Sequence, residues 1–190
     1  MAEPVDNEAS DLTLLLGPMF AGKTSALIDA YRKCKEMGIN VLAVKPASDI
    51  RYSSDQITSH TGDAIPATVI NTTDEIPNDW DVLLMDEIQF IQGAAAFCKQ
   101  ILSKTTGKKI IVSGLNGNFK AEPWPVVSEM LAVCSLDLCL FKAKCELCGK
   151  PAGYTARRKN GPTVEVGGGE TYYPACTTCF YKKLTELGYS

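Results

Sequence analysis

The chain has 190 residues, 45% hydrophobic and 22% charged, a composition that can bury one ordinary core plus a small appendage. Its net charge of -3 leaves no general basic footprint, so nucleic acid is not an expected partner. The acidic start MAEPVDNEAS lacks the basic and apolar regions of a leader, no run approaches the ~18 apolar residues of a membrane span, and eight cysteines then argue for reduced thiols in a cytoplasmic protein.

Residues 1–10 read as a loose tail. The short apolar run at 12–16, bounded by Gly17 and Pro18, predicts a buried strand. Leu27, Ile28, Tyr31 and Cys34 give a helical stripe over 24–37, closed by Gly38. A second strand is expected at 41–44, followed by a long polar loop over 46–63. Further strands are expected at 67–70, 82–85 and 110–112, with a helix over 94–103. Strands alternating with helices imply an α/β fold with a parallel sheet covered on both faces. Near residues 142–144 the chain turns rich in Cys, Gly and Tyr, so a domain over 11–143 and a smaller one over 144–190 are expected.

Residues 17–24, GPMFAGKT, fit G-x-x-x-x-G-K-[ST] between a strand and a helix. Gly17 and Gly22 permit backbone turns that aim amide N–H groups at phosphate oxygens, and the following helix points its positive end at the same anion. Lys23 supplies a point charge to the β and γ phosphates, and the Thr24 hydroxyl is suited to magnesium. The apolar strand 82–85 ends in Asp86 and Glu87. Strand neighbours face opposite ways, so separate roles fit best: Asp86 on magnesium, Glu87 as general base on a hydroxyl or on water. The pair does not choose between group transfer and hydrolysis.

Cys145 and Cys148, then Cys176 and Cys179, form two C-x-x-C knuckles with 27 residues between them, a set of four thiolates suited to structural zinc. Cys34, Cys98, Cys134 and Cys139 read as buried small hydrophobes. His60, the lone histidine, reads as a structural hydrogen-bonding residue. Arg157, Arg158 and Lys159 are mixed with Glu165 and Glu170, which makes no basic stripe.

Taken together, these motifs closely resemble the cellular and poxviral type of thymidine kinase. GPMFAGKT, Asp49-Ile-Arg51-Tyr52-Ser53, DEIQF at 86–90, GLNGNF at 114–119 and the cysteine quartet with Tyr172 between its halves carry the resemblance. It implies a RecA-like phosphate-loop domain and a zinc-tethered lasso closing over the nucleoside. It also implies transfer of the γ-phosphoryl group of ATP to the 5′-hydroxyl of thymidine, with deoxyuridine as a further acceptor, in deoxynucleotide salvage. A homotetramer inhibited by dTTP is part of the same implication.

By position, the resemblance makes Glu87 the proton acceptor, with Lys23 and Arg51 as its catalytic companions. ATP and magnesium fall to Gly17, Pro18, Met19, Phe20, Ala21, Gly22, Lys23 and Thr24, together with Asp49, Arg51, Asp86 and Gln89. The nucleoside falls to Met19, Phe90, Leu115, Phe119, Trp124, Thr155, Val164, Glu165, Val166, Gly167, Gly168 and Tyr172. Three positions depart from the family's usual residues: Asn116 stands for Asp, Trp124 for Phe and Ala21 for Ser. The first removes a negative charge expected near the substrate, and the second reshapes the pyrimidine pocket.

Overall fold

A computed structural model describes residues 10–49, 55–104, 107–133, 137–162 and 164–189. Arg51, Tyr52, Ser53 and Cys134, singled out in the sequence, lie outside the described residues. The phosphate-loop strand β1 (Asp11–Gly17) leads into helix α1 (Lys23–Glu36), then strand β2 (Val41–Pro46). A small hairpin, β3 (Gln56–Thr58) with β4 (Ala64–Pro66), precedes β5 (Thr68–Ile70) and β6 (Val82–Met85). Helix α2 (Ala94–Leu102), strand β7 (Lys109–Leu115), helix α3 (Pro125–Val133) and strand β8 (Asp137–Leu140) complete this part.

Six strands form one parallel sheet in the order β5-β2-β6-β7-β1-β8. The expected α/β class with a parallel sheet is what the chain adopts. Strand β7 lies between the phosphate-loop strand β1 and the acidic-pair strand β6. Period-two alternation explains how both faces are covered. Leu83 and Met85 face one layer with Leu14, Val112, Cys98 and Met130, beneath α2 and α3. Val82 and Leu84 face the other with Leu27 and Ile28 of α1. Each such fully buried side chain contributes about 1.5–3 kcal/mol over an exposed one.

Beyond the sheet, β9 (Ala143–Lys144) pairs with β10 (Pro151–Ala152), and β11 (Tyr154–Arg157) pairs with β12 (Tyr172–Ala175). Helix α4 (Thr177–Glu186) packs on β11 through Phe180, whose ring stacks on Tyr154 at 4.4 Å. No helix of the described residues is long and apolar enough to cross a membrane.

Several sequence expectations need correction. The loop expected over 46–63 contains strand β3, whose single buried side chain, Ile57, reaches the core beside Ile65. Three residues give too short an alternation to register as a strand. Helix α3 and strand β8 were not foreseen, because Pro125 at the first helical position resembles a loop signal and β8 exposes all four of its residues. Cys139, expected inside, is therefore exposed on that edge strand, whereas Cys98 is buried and Cys34 half-buried.

Candidate functional site

The ends of β1, β6 and β7 meet above the sheet, where ligands of parallel α/β folds bind. Gly17 closes β1 against the chain after β8: a Cβ there would meet the Phe141 carbonyl oxygen at 2.6 Å. Gly17→Ala is therefore expected to destabilise the fold by about 1–3 kcal/mol, read as a lower denaturant midpoint with an unchanged slope. Phe20 (φ 63°) and Gly22 (φ 88°) are left-handed, a backbone alternation that turns loop amides toward one point. No side chain caps α1 among the described residues, so its first amides face the cleft.

Lys23 is buried and donates to the Pro18 carbonyl at 2.7 Å, which pins its ammonium across the loop. Thr24 Oγ1 donates to Asp86 Oδ2 at 3.3 Å, joining the helix start to the acidic pair. The other Asp86 oxygen accepts the Ser113 hydroxyl of β7 and the Glu87 amide. A hydroxyl and a fixed carboxylate on adjacent elements are a donor set that fits magnesium. Glu87 is left-handed (φ 51°, ψ 48°), a backbone conformation disfavoured for any residue but glycine. Gln89 donates to the Glu87 carboxylate, and its own carbonyl accepts the Leu115 amide at 3.1 Å. Gln89 thus braces Glu87 against β7 and lines neither cleft described next.

Two clefts of about 550 Å³ each, counting their solvent-open parts, adjoin this centre. The first is apolar and collects Met19, Phe90, Leu115, Phe119, Trp124, Thr155, Val164, Glu165, Val166, Gly167 and Tyr172, all assigned to the nucleoside by resemblance. Gly168 instead forms the turn beneath it, its carbonyl accepting the Tyr172 amide at 2.9 Å. The second is polar and collects Phe20, Ala21, Gly22, Lys23, Thr24 and Asp86. Met19, Asp49, Glu87 and Leu115 line both.

Within the first cleft, Trp124 meets Phe90 edge-on at 5.5 Å, and Met19, Phe119 and Tyr172 form a buried cluster. Tyr172 donates its hydroxyl to the Glu165 carbonyl at 2.9 Å, and burial raises its phenol above the ordinary value, opposed by the Arg157 guanidinium. The Thr155 hydroxyl accepts the Met19 amide at 2.9 Å, tying the phosphate loop to the C-terminal lobe. Asn116, the departure from Asp, lines neither cleft and donates to the Gly153 carbonyl at 3.0 Å, a bond an aspartate could not make.

Sequence reasoning gave no role to Ser48, Gly117 and Asn118 in the first cleft, nor to Ser25 and Thr58 in the second. Gly117 and Asn118 lay inside the quoted GLNGNF motif, the available signal. His60 sits exposed at the rim of the second cleft, edge-on to Phe20 at 6.1 Å, rather than in a structural hydrogen bond among the described residues. Arg157, read in the sequence only as one of several mixed charges, is buried.

In the C-terminal lobe, the Cys145, Cys148, Cys176 and Cys179 ligand atoms all lie within 4.8 Å of one another. Tetrahedral zinc with bonds of about 2.3 Å spaces its sulfurs roughly 3.8 Å apart, so the quartet fits. The Cys145 turn is closed by the Gly149 amide, and Cys176 sits at the N-terminus of α4, where the Phe180 amide donates to its carbonyl at 2.8 Å. Burial disfavours the Cys145 thiolate, yet amides of Cys176, Cys148 and Leu147 outweigh it and bring the thiol down to about 6. Hydrogen bonding to the Cys176 and Cys148 sulfurs, with Cys179 as the protonated donor, pushes its thiol up to about 12. Four crowded thiols cannot all ionise alone; a dication makes all four thiolates. The lasso from 158 to 170 is tied back to this knuckle by Arg158, which pairs twice with Glu146 at 2.8 Å and donates to the Gly169 carbonyl.

A polar, phosphate-suited cleft meets an apolar, ring-suited one where the Asp49 and Glu87 carboxylates line both, an arrangement for moving a phosphoryl group onto a flat, partly apolar acceptor. Compared with known families, residues 10–180 match the family model described as thymidine kinase. That match spans nearly the whole chain, and the protein belongs to the thymidine kinase family.

Proposed function

We propose that this thymidine kinase takes the γ-phosphoryl group from ATP and gives it to the 5′-hydroxyl of thymidine, yielding dTMP and ADP. The observation that carries the reading is Glu87 at the junction of the two clefts, within reach of ligands in both. Its carboxylate accepts the hydroxyl proton as the sugar oxygen bonds to the γ-phosphorus and the bridge to ADP breaks. The loop amides and Lys23 hold the phosphates, and Arg51, by family resemblance, offsets charge on the transferred group. Thr24 and Asp86 would hold magnesium, which neutralises phosphate charge when bound. The nucleoside lies against Phe119, Trp124 and Tyr172, with lasso backbone at 164–167 on its polar edge.

In this reading residues 11–143 are the kinase domain and 144–190 the zinc-held lasso domain. The family resemblance further supports deoxyuridine as an acceptor, dTTP as an inhibitor, a homotetramer, and a cytoplasmic role in deoxynucleotide salvage. The test is labelled ATP with magnesium and each nucleoside in turn. Label on thymidine is the expected result. Label released only to water would identify an ATPase instead, and no turnover would point to a nucleotide-sensing scaffold.

A further inference from the structure

Arg157, at the end of β11, has a side chain only 1% exposed, an unusual place for a guanidinium. Its partners come from two directions. From the lasso, the Glu165 carboxylate pairs with it and the Pro162 carbonyl accepts from it. From the cleft wall, the Phe119 and Tyr172 rings lie 5.0 and 5.7 Å from its central carbon. A Cβ on Gly161 would meet the same guanidinium at 2.5 Å, so the lasso backbone runs directly over it.

These contacts are unequal in what they lose when the lasso lifts. Glu165 is 43% exposed on its side chain and returns to water at little cost. Arg157 would stay between two rings, having lost both its carboxylate and its carbonyl. Leaving a buried charge without partners is far more costly than separating a solvated pair. The penalty therefore falls on the open lasso.

We infer that Arg157 is a latch: a positioning residue that holds the lasso segment 164–167 closed on the nucleoside cleft. This deepens the proposed thymidine kinase reading and rests on it for the ligand. Arg157 touches no reacting atom, and it acts through Glu165, Pro162, Phe119 and Tyr172. It makes substrate affinity, rather than the chemical step, depend on a charge pair behind the pocket wall.

The test compares wild type, Arg157→Met, Arg157→Lys and Glu165→Gln as full-length zinc-loaded proteins. Methionine keeps the aliphatic bulk and leaves Glu165 solvated, which favours retained folding. Arg157→Met should raise KM for thymidine about tenfold, the scale of a lost charge-assisted hydrogen bond, with kcat within about threefold. Lysine keeps the charge without the planar fork and should recover part of the loss. The Arg157→Met and Glu165→Gln effects should combine non-additively.

A readout independent of activity is trypsin cleavage after Arg158 or Lys159 without nucleoside, followed by intact mass. Arg157→Met should be cut there faster than wild type. Equal cleavage rates would overturn the latch even if every protein phosphorylates thymidine, whereas wild type failing on thymidine would overturn only the functional reading. Should Arg157→Met not fold, an unchanged KM and cleavage rate in Glu165→Gln would overturn the latch alone.

Discussion

Glu87→Gln lowers kcat with thymidine by roughly 10²- to 10⁴-fold, the contribution expected of a positioned general base, while leaving ATP affinity within about twofold. Glutamine has the same length, can occupy the same left-handed backbone and still accepts from Gln89 through its carbonyl oxygen. What it cannot do is take a proton at neutral pH. ATP affinity should hold because the groups assigned to it, from the loop amides to Lys23 and Asp86, are untouched. Single-turnover phosphorylation and calorimetric titration with an ATP analogue separate the two quantities. A kcat within threefold of wild type would remove Glu87 as the base.

Cys176→Ser, the second large effect, is expected to lose zinc and to damage the nucleoside cleft far more than the phosphate cleft. The lobe is held by two small apolar groups, Ala156, Tyr173, Ala175 and Phe180 in one and Cys145, Ala152 and Cys176 in the other. Cores that small do not order hairpins alone, so metal binding and folding of the lobe are one event. The phosphate cleft takes every lining residue from positions 19–115, whereas the nucleoside cleft borrows Thr155, Val164, Glu165, Val166, Gly167 and Tyr172 from the lobe. Elemental analysis should find about one zinc per chain in wild type and less in the variant. KM for thymidine should rise at least about tenfold, as several wall contacts go at once, with ATP binding nearly kept. Equal loss of both affinities, or full activity without zinc, would overturn the structural-zinc assignment.

What the sequence made legible was chemistry confined to short stretches. GPMFAGKT, Val82–Met85 followed by Asp86 and Glu87, and the two cysteine knuckles each carry their signal within a few residues. The parallel sheet followed from the regular alternation of apolar runs and helical stripes. Features made by distant partners were not legible. Ser113 on Asp86 depends on strand register between β6 and β7, and Thr155 on the Met19 amide spans 136 residues. Gln89 sits in a quoted motif, but its role depends on where Leu115 ends β7. Nothing local in the sequence marks Arg157 as buried; Phe119 and Tyr172, distant in the chain, lie against it. Strand β8 escaped because an edge strand with outward side chains has no apolar alternation to read.

The division of labour between the clefts also bears on how such an enzyme can change over evolutionary time. Thr24, Asp86 and Ser113 interlock through hydrogen bonds, so a substitution at one leaves another without its partner. Phe90 and Trp124 meet each other edge-on and line the cleft with their rings, a kind of packing that tolerates exchange among shapes of similar volume. Altered acceptance of modified nucleosides should therefore arise first in this aromatic wall, by single substitutions that leave the phosphate machinery intact.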